Sequence, residues 1–579
     1  MSIPPSNHDG PESAREGRGR RHAPAAVIAL VAAVVGALIF GRFLYPYAVP
    51  VGFDESYMVP FAERLIDGHH LPYVDAVSQR GPVLYWVLAL GQLVFGRYEW
   101  VGIRVIALAA CLITLAATYF AGVAARWPLA GAFGGAATVL VIAVRGATRS
   151  LCGEAIAAPC LALSFCVLSF ALVRSPAGRR RAVLLGLAGA LAAMGALAKQ
   201  TTGLASGPFL LWVLAHDFTA SHDDRGASPL AFLKGPLAFL AGWAAVFAAL
   251  VGWYAAHHAL PDLLYWSTTY NSTIYMAPYR THYWPAILGW LGAHPLVPAG
   301  LVAVLAFAVL RTVVSGACSS IRGLTAAYAR AGFEVTAALN TVLLFAAAAL
   351  PARFWWHYFM IVWPWLGLVA GAVVEIGLRR VPVALWKKRV LVAAPMVMII
   401  AGTGAYRLHG IEARRAKGAW KNPRPSPICA EIDRYARPGE SIFVWGFNGD
   451  VYINCRRKPA SRFTYLTLVA GIVPPVWDVA RPDRVARGSR RLLVSDLEES
   501  RPPVILDYPI RGFGMDRVPE LAELLARDYC PLPRPSAKMK RKPKIYGRRD
   551  AVACPAPADA DPTETAAAND DADRSDELE

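Results

Sequence analysis

Apolar residues recur in blocks of about 20 over the first 410 or so residues, and short polar connections separate the blocks. A block of that length lets a helix cross the hydrocarbon core of a bilayer. The pattern predicts a polytopic α-helical membrane protein with about eleven spans. Their approximate ranges are 25–45, 102–124, 129–145, 153–173, 183–198, 203–216, 236–257, 286–310, 335–351, 357–377 and 390–406.

One further apolar run, residues 81–96, is shorter and begins Gly-Pro. Whether it crosses the membrane decides on which side of the membrane each later loop lies. If it does not cross, inside loops hold Arg126 and the basic clusters at 174–181, 225–234, 311–330 and 379–389. Lys and Arg favour cytoplasmic loops, so the charges favour a run that lies on the outer surface. The N-terminus is then cytoplasmic, and the region after the last span is periplasmic.

This topology leaves a first outer loop at residues 46–101. Within it, residues 56–67 have the pattern of a short amphipathic helix that ends at Gly68. Residues 82–95 are predicted to form a second helix lying in the membrane interface. The basic leader 1–24 precedes a first apolar block that ends in aromatic residues, which indicates a retained anchor rather than a cleaved signal peptide.

The composition changes after the last block, and residues 407–554 have features of a small periplasmic α/β domain. Strands are predicted at 441–445, 451–453, 504–506 and near 545–546, with a turn at 446–449 and helices at 487–499 and 521–527. The tail 555–579 is rich in Ala, Asp and Glu and is predicted to be disordered.

Hydrophobic residues make up 55% of the 579 residues and charged residues 17%, which excludes a soluble or largely disordered protein. The net charge of +18 sits largely in short loops beside spans, so no nucleic-acid partner is predicted. Four cysteines lie in the C-terminal region: Cys429, Cys455, Cys530 and Cys554. In an oxidising periplasm they could form two disulfides, and three pairings remain open.

Several ionisable residues fall at outer ends of spans or in outer loops, where charges at membrane depth often mark a site. They are Asp54, Glu55, Arg80, Arg104, Glu154, Lys199, Arg353 and His357. Arginine and lysine bind phosphate, and a carboxylate can accept a proton from a hydroxyl. The alternative is that the acidic pair 54–55 only caps the positive end of its helix, and that the basic residues are anchors at span ends.

The first outer loop resembles that of GT-C glycosyltransferases, in particular glycosyltransferase family 39, which includes protein O-mannosyltransferases and the lipid A aminoarabinose transferase. The resemblance covers about 60 residues: the acidic pair 54–55, the helix 61–68, the segment 71–75, Arg80-Gly81-Pro82 and the ending Phe95-Gly96. It implies a polyprenyl-phosphate sugar donor and transfer at the outer face of the membrane.

The resemblance also implies roles for single residues. Asp54 matches the family's essential acid, and Arg80 stands where relatives have a basic residue before Pro-Pro, although here Gly81 comes first. Candidate catalytic residues are therefore Asp54, Glu55 and Glu154. Candidate substrate-binding residues are Arg80, Arg104, Lys199, Arg353, His357 and Tyr358.

These observations predict an inverting membrane glycosyltransferase that transfers a hexose or pentose from a polyprenyl phosphate to a glycolipid, polysaccharide or protein hydroxyl. A non-catalytic envelope scaffold and a transporter are the alternatives. No cofactor is expected, and a divalent metal has no support, because the neighbouring histidines at 69–70 and 257–258 lack further ligands. The aromatic loop 257–284 suits either an interfacial belt or a lid over the site.

Overall fold

The computed structural model of the chain describes residues 53–68, 70–145, 151–175, 177–223, 228, 230–276, 283–316, 320–380, 426–473, 481–510, 512–533 and 542–555. The expected basic leader, the first and last predicted spans and the acidic tail lie outside these residues. The described part is mostly helical and carries one sheet.

Helices account for most of the described residues between 53 and 380. Their bounds are Phe53–Asp67, Pro82–Phe95, Trp100–Ala124, Pro128–Arg145, Gly153–Val173, Arg179–Ala198, Ser206–Asp223, Lys234–Ala256, Leu260–Leu264, Tyr283–Ala293, Leu296–Ser315, Ile321–Arg330, Gly332–Ala349 and Trp363–Arg380. Six helices in the described residues are long and apolar enough to cross a membrane: 102–124, 153–173, 179–198, 231–256, 296–315 and 332–349.

The predicted span 286–310 is not one helix. It is divided into Tyr283–Ala293 and Leu296–Ser315. The break falls at Pro295, which has no N–H for a continuing helix and disfavours helical backbone in the residue before it. The predicted span 357–377 also begins late, because Trp356–Ile361 is a short 3-10 helix and the α-helix starts at Trp363.

Small residues bring the helices close together. A methyl group on Gly189 would lie 1.9 Å from the Phe239 carbonyl oxygen, and one on Gly242 would lie 1.8 Å from that of Gly186. Helices Arg179–Ala198 and Lys234–Ala256 therefore pack backbone to backbone, as small residues allow in membranes. A separate aromatic core fills the bundle interior, where Phe165 stacks on Phe333 with ring centroids 5.0 Å apart.

The C-terminal region, residues 426–555, contains a four-stranded sheet in the order β1-β2-β4-β3. The strands are β1 (Phe443–Trp445), β2 (Val504–Asp507), β3 (Tyr529–Leu532) and β4 (Lys544–Arg548). Strands β1 and β2 are parallel with Trp445 opposite Asp507, and β4 pairs antiparallel with both β2 and β3. Helices Pro427–Ile432, Asp450–Asn454, Thr467–Ala470, Ser489–Ser500 and Pro519–Asp528 complete the region.

The predictions for strands 441–445, 504–506 and 545–546 and for helices 487–499 and 521–527 are confirmed within a few residues. The predicted strand 451–453 is wrong, because Asp450–Asn454 is a helical turn. A run of three apolar residues does not distinguish strand from helix. The four cysteines form two disulfides, Cys429–Cys455 and Cys530–Cys554, which selects one of the three pairings.

Candidate functional site

The first turn of the helix Phe53–Asp67, here called the acid helix, carries both predicted acids. Glu55 is fully buried, and its Oε1 accepts hydrogen bonds from Arg104 Nη1 at 2.5 Å and from the Leu151 N–H at 2.8 Å. Glu55 therefore ties the acid helix to the starts of two spans. Asp54 shares this first turn, and the side chain of Asp54 is outside the described part of the structure.

A second contact group forms around Lys199, which follows the helix Arg179–Ala198. Its Nζ lies 2.6 Å from Oε1 of Glu154, a buried residue in the first turn of Gly153–Val173. The same Nζ lies 4.2 Å from the ring centroid of Tyr358, and the rings of Tyr358 and His357 are 4.6 Å apart. An ammonium has three N–H donors, so the contact with Glu154 leaves donor capacity for an anion.

The third contact group joins Arg353 to the aromatic loop. The Arg353 side chain donates to the Tyr275 hydroxyl, and its guanidinium lies 3.8 Å from the centre of the Tyr275 ring. Burial raises the pKa of Tyr465 above its usual range, and the nearby positive charges of Arg80 and Arg353 oppose that shift. Two cations from distant parts of the sequence thus act electrostatically on one tyrosine of the C-terminal region.

Gly81 stands where the resembling glycosyltransferases have the first proline of Pro-Pro, and the packing explains why a glycine is needed here. A methyl group at Gly81 would lie 2.0 Å from the Leu197 carbonyl oxygen, so proline or any residue with a Cβ would collide with the end of that helix. The close approach places Arg80 beside the segment that carries Lys199. The Arg80 carbonyl is held by the Tyr73 hydroxyl, which donates to it at 2.6 Å.

These three groups adjoin one another. Gly153 packs against the Ala198 carbonyl, with a distance of 2.8 Å from a methyl at Gly153 to that oxygen. Gly81 packs against the same chain end, with a distance of 2.9 Å from a methyl at Gly81 to the Ala198 carbonyl oxygen. Among the predicted site residues, Arg104 is engaged with Glu55, Lys199 lies over the Tyr358 ring, and Arg353 lies over the Tyr275 ring.

Several contacts in this part of the structure come from residues that the sequence did not single out as site residues. The rings of Phe447 and Tyr465 lie 6.1 and 4.9 Å from that of Tyr57 in the acid helix. The Thr464 hydroxyl donates to the Tyr57 carbonyl at 3.2 Å. The C-terminal region therefore packs directly on the first turns of the acid helix, and no sequence periodicity links positions about 400 residues apart.

Pro60 and Gly449 explain how this packing is so close. Pro60 lies within the acid helix and has no N–H to donate to the Ser56 carbonyl four residues earlier. Gly449 packs on that carbonyl: a methyl group on Gly449 would lie 2.2 Å from the Ser56 oxygen. Pro60 thus removes the helical hydrogen bond to the Ser56 carbonyl. Because Gly449 has no side chain, the C-terminal region can approach that carbonyl closely.

Ion pairs extend the same interface. Lys458 Nζ lies 2.7 Å from Asp67, Arg456 lies 2.5 Å from Glu99, and Arg97 bridges Asp67 and Glu63 at 2.8 Å each. The hydrogen bond from Arg97 lowers the pKa of Asp67, the largest of several contributions. Within the described residues, no three His, Cys, Asp or Glu side chains group as a metal site would require.

No family model and no curated protein matches the chain. The chain is similar to solved structures of GT-C proteins, the superfamily that its first outer loop resembles. ArnT from Cupriavidus metallidurans bound to undecaprenyl phosphate is 16% identical, with 92% of this chain and 99% of that chain covered and a TM-score of 0.47. The Archaeoglobus fulgidus oligosaccharyltransferase tethered with an acceptor peptide is 12% identical, with 90% and 74% covered and a TM-score of 0.42.

A structure of the oligosaccharyltransferase AglB from Archaeoglobus fulgidus, in complex with an inhibitory peptide and a dolichol-phosphate, is 13% identical over 88% of this chain and 72% of that one, with a TM-score of 0.42.

Proposed function

We propose that the protein is a membrane glycosyltransferase that moves a sugar from a polyprenyl phosphate to an acceptor hydroxyl at the periplasmic face. The proposal is carried by a chain of contacts. Lys199 lies on Glu154 and Tyr358, Gly81 packs on the residues just before Lys199, and Tyr465, which is under the positive charges of Arg80 and Arg353, packs on Tyr57 of the acid helix that bears Asp54. Cations suit a phosphate leaving group, and a carboxylate suits removal of a proton from an alcohol.

The proposed step is a single displacement. The acceptor oxygen attacks the anomeric carbon, the bond from that carbon to the phosphate oxygen breaks, and the configuration inverts. Asp54 takes the proton of the acceptor hydroxyl, and polyprenyl phosphate leaves with the bonding electron pair. Negative charge grows on the phosphate in the transition state, where Lys199 and Arg80 stabilise it.

Glu154 and Glu55 have positioning roles in this proposal. Glu154 holds the Lys199 ammonium at 2.6 Å, and Glu55 holds Arg104 and the Leu151 N–H, so both carboxylates fix neighbouring groups. Residues that contact a substrate-binding or catalytic side chain in this way hold it in the productive geometry. In this proposal the side chains of Lys199 and Arg80 neutralise the charge of the phosphate leaving group. Transfer assays with EDTA and with added Mg²⁺ examine directly whether a metal ion is also required.

The two disulfides of the C-terminal region support the periplasmic assignment, because disulfides persist in oxidising compartments. The disulfide-bearing region packs on the acid helix, so the site and the region share one side of the membrane. We infer an acceptor from the envelope, a glycolipid, polysaccharide or protein, that approaches under residues 447–465.

The test is a transfer assay with the full-length protein in nanodiscs. Undecaprenyl phosphates that carry single hexoses or pentoses are supplied with fractionated envelope acceptors, and released undecaprenyl phosphate and glycosylated product are measured by mass spectrometry. The proposal predicts acceptor-dependent release from one donor class. A folded protein that releases nothing with any donor is a scaffold, and donor movement across a vesicle membrane without release indicates a transporter.

A further inference from the structure

A basic segment of the C-terminal region, exposed at Arg481, Arg487 and Arg491, has no part in the proposed chemistry. Five arginines lie within residues 481–491, here called the arginine segment, and Asp483 is the acid among them. The arginines are Arg481, Arg484, Arg487, Arg490 and Arg491. The charge density is that of sequences which associate with polyanions or anionic membrane surfaces.

The arginine segment lies against the part of the chain that emerges from a span. The Arg487 N–H donates to the Tyr265 hydroxyl at 2.8 Å. Tyr265 begins a π-helical turn that follows Lys234–Ala256 and the short helix Leu260–Leu264. The turn Pro482–Arg484 also packs near the second π-helical turn, Asn271–Tyr275.

Exposed apolar side chains on this emerging part mark the level of the membrane. Trp253, near the end of its span, is 47% exposed, and Leu264 is 55% exposed. Large apolar side chains on the outside of a span face lipid, and tryptophan favours the interface. The arginine segment, one hydrogen bond from Tyr265, is therefore at the height of the lipid headgroups.

Part of the arginine segment is engaged within the fold: Arg481 lies 3.1 Å from Asp483, Arg484 is buried, and Arg490 donates to the Val469 carbonyl at 3.4 Å. Arg487 and Arg491 are exposed, and neither forms an ion pair with a described residue. The helix Ser489–Ser500 has no acid in its first turn, where Arg490 and Arg491 lie. Arginines at a helix N-terminus oppose the helix dipole, so they do not serve the stability of this helix.

We propose that the arginine segment binds the anionic phospholipid headgroups of the outer leaflet and holds the C-terminal region at a fixed height over the acid helix. Arginine binds phosphate through a planar fork of donors, and each cation near an anionic surface adds to the attraction. The occupant is lipid phosphate in the membrane plane, which requires no sugar transfer. The inference thus stands independently of the proposed function.

The test is hydrogen–deuterium exchange of the full-length protein in nanodiscs of phosphatidylcholine alone or with phosphatidylglycerol. Anionic lipid is expected to slow amide exchange in residues 484–492 by at least about fivefold, and high salt is expected to reverse the effect. Equal exchange in both lipids overturns the proposal. This comparison uses the wild-type chain, so it does not depend on a variant that folds.

A charge-matched pair of variants locates the effect. The triple variant Arg487→Gln, Arg490→Gln, Arg491→Gln should lose the lipid-dependent protection, and Arg517→Gln, Arg527→Gln, Arg549→Gln, which removes three arginines elsewhere in the region, should keep it. Protection that survives the first triple variant overturns the assignment to these arginines. Protection by soluble polyphosphate in zwitterionic discs, without protection by phosphatidylglycerol, identifies a soluble polyanion and also overturns it.

Discussion

Glu55 and Arg104 form a buried ion pair in which Arg104 Nη1 donates to Glu55 Oε1 at 2.5 Å. Their side chains are 0% and 4% exposed, and Glu55 also accepts from the Leu151 N–H. Glu55 thus joins the acid helix to the starts of two spans through these hydrogen bonds. In the proposed mechanism a carboxylate so engaged has a positioning role, and the base is Asp54 in the same turn.

Removal of one partner of this pair should destabilise the protein more than removal of both. Glu55→Ala or Arg104→Ala leaves a buried charge without its partner, and such losses are about 3–5 kcal/mol. The measurement is a double-mutant cycle of thermal unfolding in detergent. Additive single-variant effects would contradict the coupling. A Glu55→Gln protein with wild-type stability and no activity would return Glu55 to the chemistry.

The second prediction concerns the role of Lys199 in stabilising the phosphate leaving group. Lys199→Met should lower kcat by about 10²–10³ with a smaller change in the donor KM, because the ammonium acts on charge that develops in the transition state. Lys199→Arg should retain part of the rate, since it keeps the charge but changes its shape. The control is Lys234→Met, which removes a lysine from the first position of the helix Lys234–Ala256. Equal kcat for the Lys199→Met protein and the wild type would remove Lys199 from the site.

The contact between Gly449 and the acid helix gives the third prediction. Gly449→Ala places a methyl group 2.2 Å from the Ser56 oxygen and should displace the 447–449 turn at an overpacking cost of about 1–3 kcal/mol. Transfer should fall, and fluorescence or hydrogen exchange at Tyr57 should show loosened packing. Gly207→Ala meets no atom within 4 Å and is the control. Unchanged transfer and packing in the Gly449 variant would show that the turn is not needed over the site.

The local elements of this fold follow from the sequence, because each depends on neighbours a few positions away. The acid helix, the helix that starts after Gly81 and the strand at Val504 are examples. The helical turn at Asp450 is predicted as a strand because three apolar residues fit either structure.

The arrangement of the candidate site could be predicted only in part. Membrane topology and loop resemblance place Glu154, Lys199 and Arg353 on one side, since the outer ends of spans share a surface. The approach of Tyr465 and Gly449 to the acid helix has no such signal. It depends on Pro60, which removes a helical hydrogen bond to the Ser56 carbonyl, and on Gly449, which lies almost 400 residues later in the chain. Only the folded structure shows that these residues meet.

Asp507 gives a prediction about pH. Burial raises the pKa of this carboxyl from 3.8 to about 7, with smaller opposing and reinforcing effects from the Met515 N–H and Asp516. The folded chain thus holds the proton more tightly than the unfolded chain. The stabilising contribution is present in full below about pH 4 and falls, by at most about 1.4 kcal/mol per pH unit, as the pH rises to 7.

Thermal unfolding of the C-terminal region, followed by hydrogen exchange in β2, should therefore show decreasing stability between about pH 5 and pH 7. Asp507→Asn should flatten that dependence, because an amide has no proton to lose in this range. Asp516→Asn, an exposed neighbour, is the control and should retain most of the slope. The same slope in the wild type and in the Asp507→Asn protein would exclude Asp507 as its source.

If Asp54 is the base, its loss should be visible in the initial rate of sugar transfer in the reconstituted donor assay. Asp54→Asn keeps the size of the side chain and removes its ability to accept a proton at neutral pH. We expect a loss of about 10²–10⁴ in kcat, with thermal stability and donor binding retained. An Asp54→Asn protein that transfers sugar at the wild-type rate would contradict it.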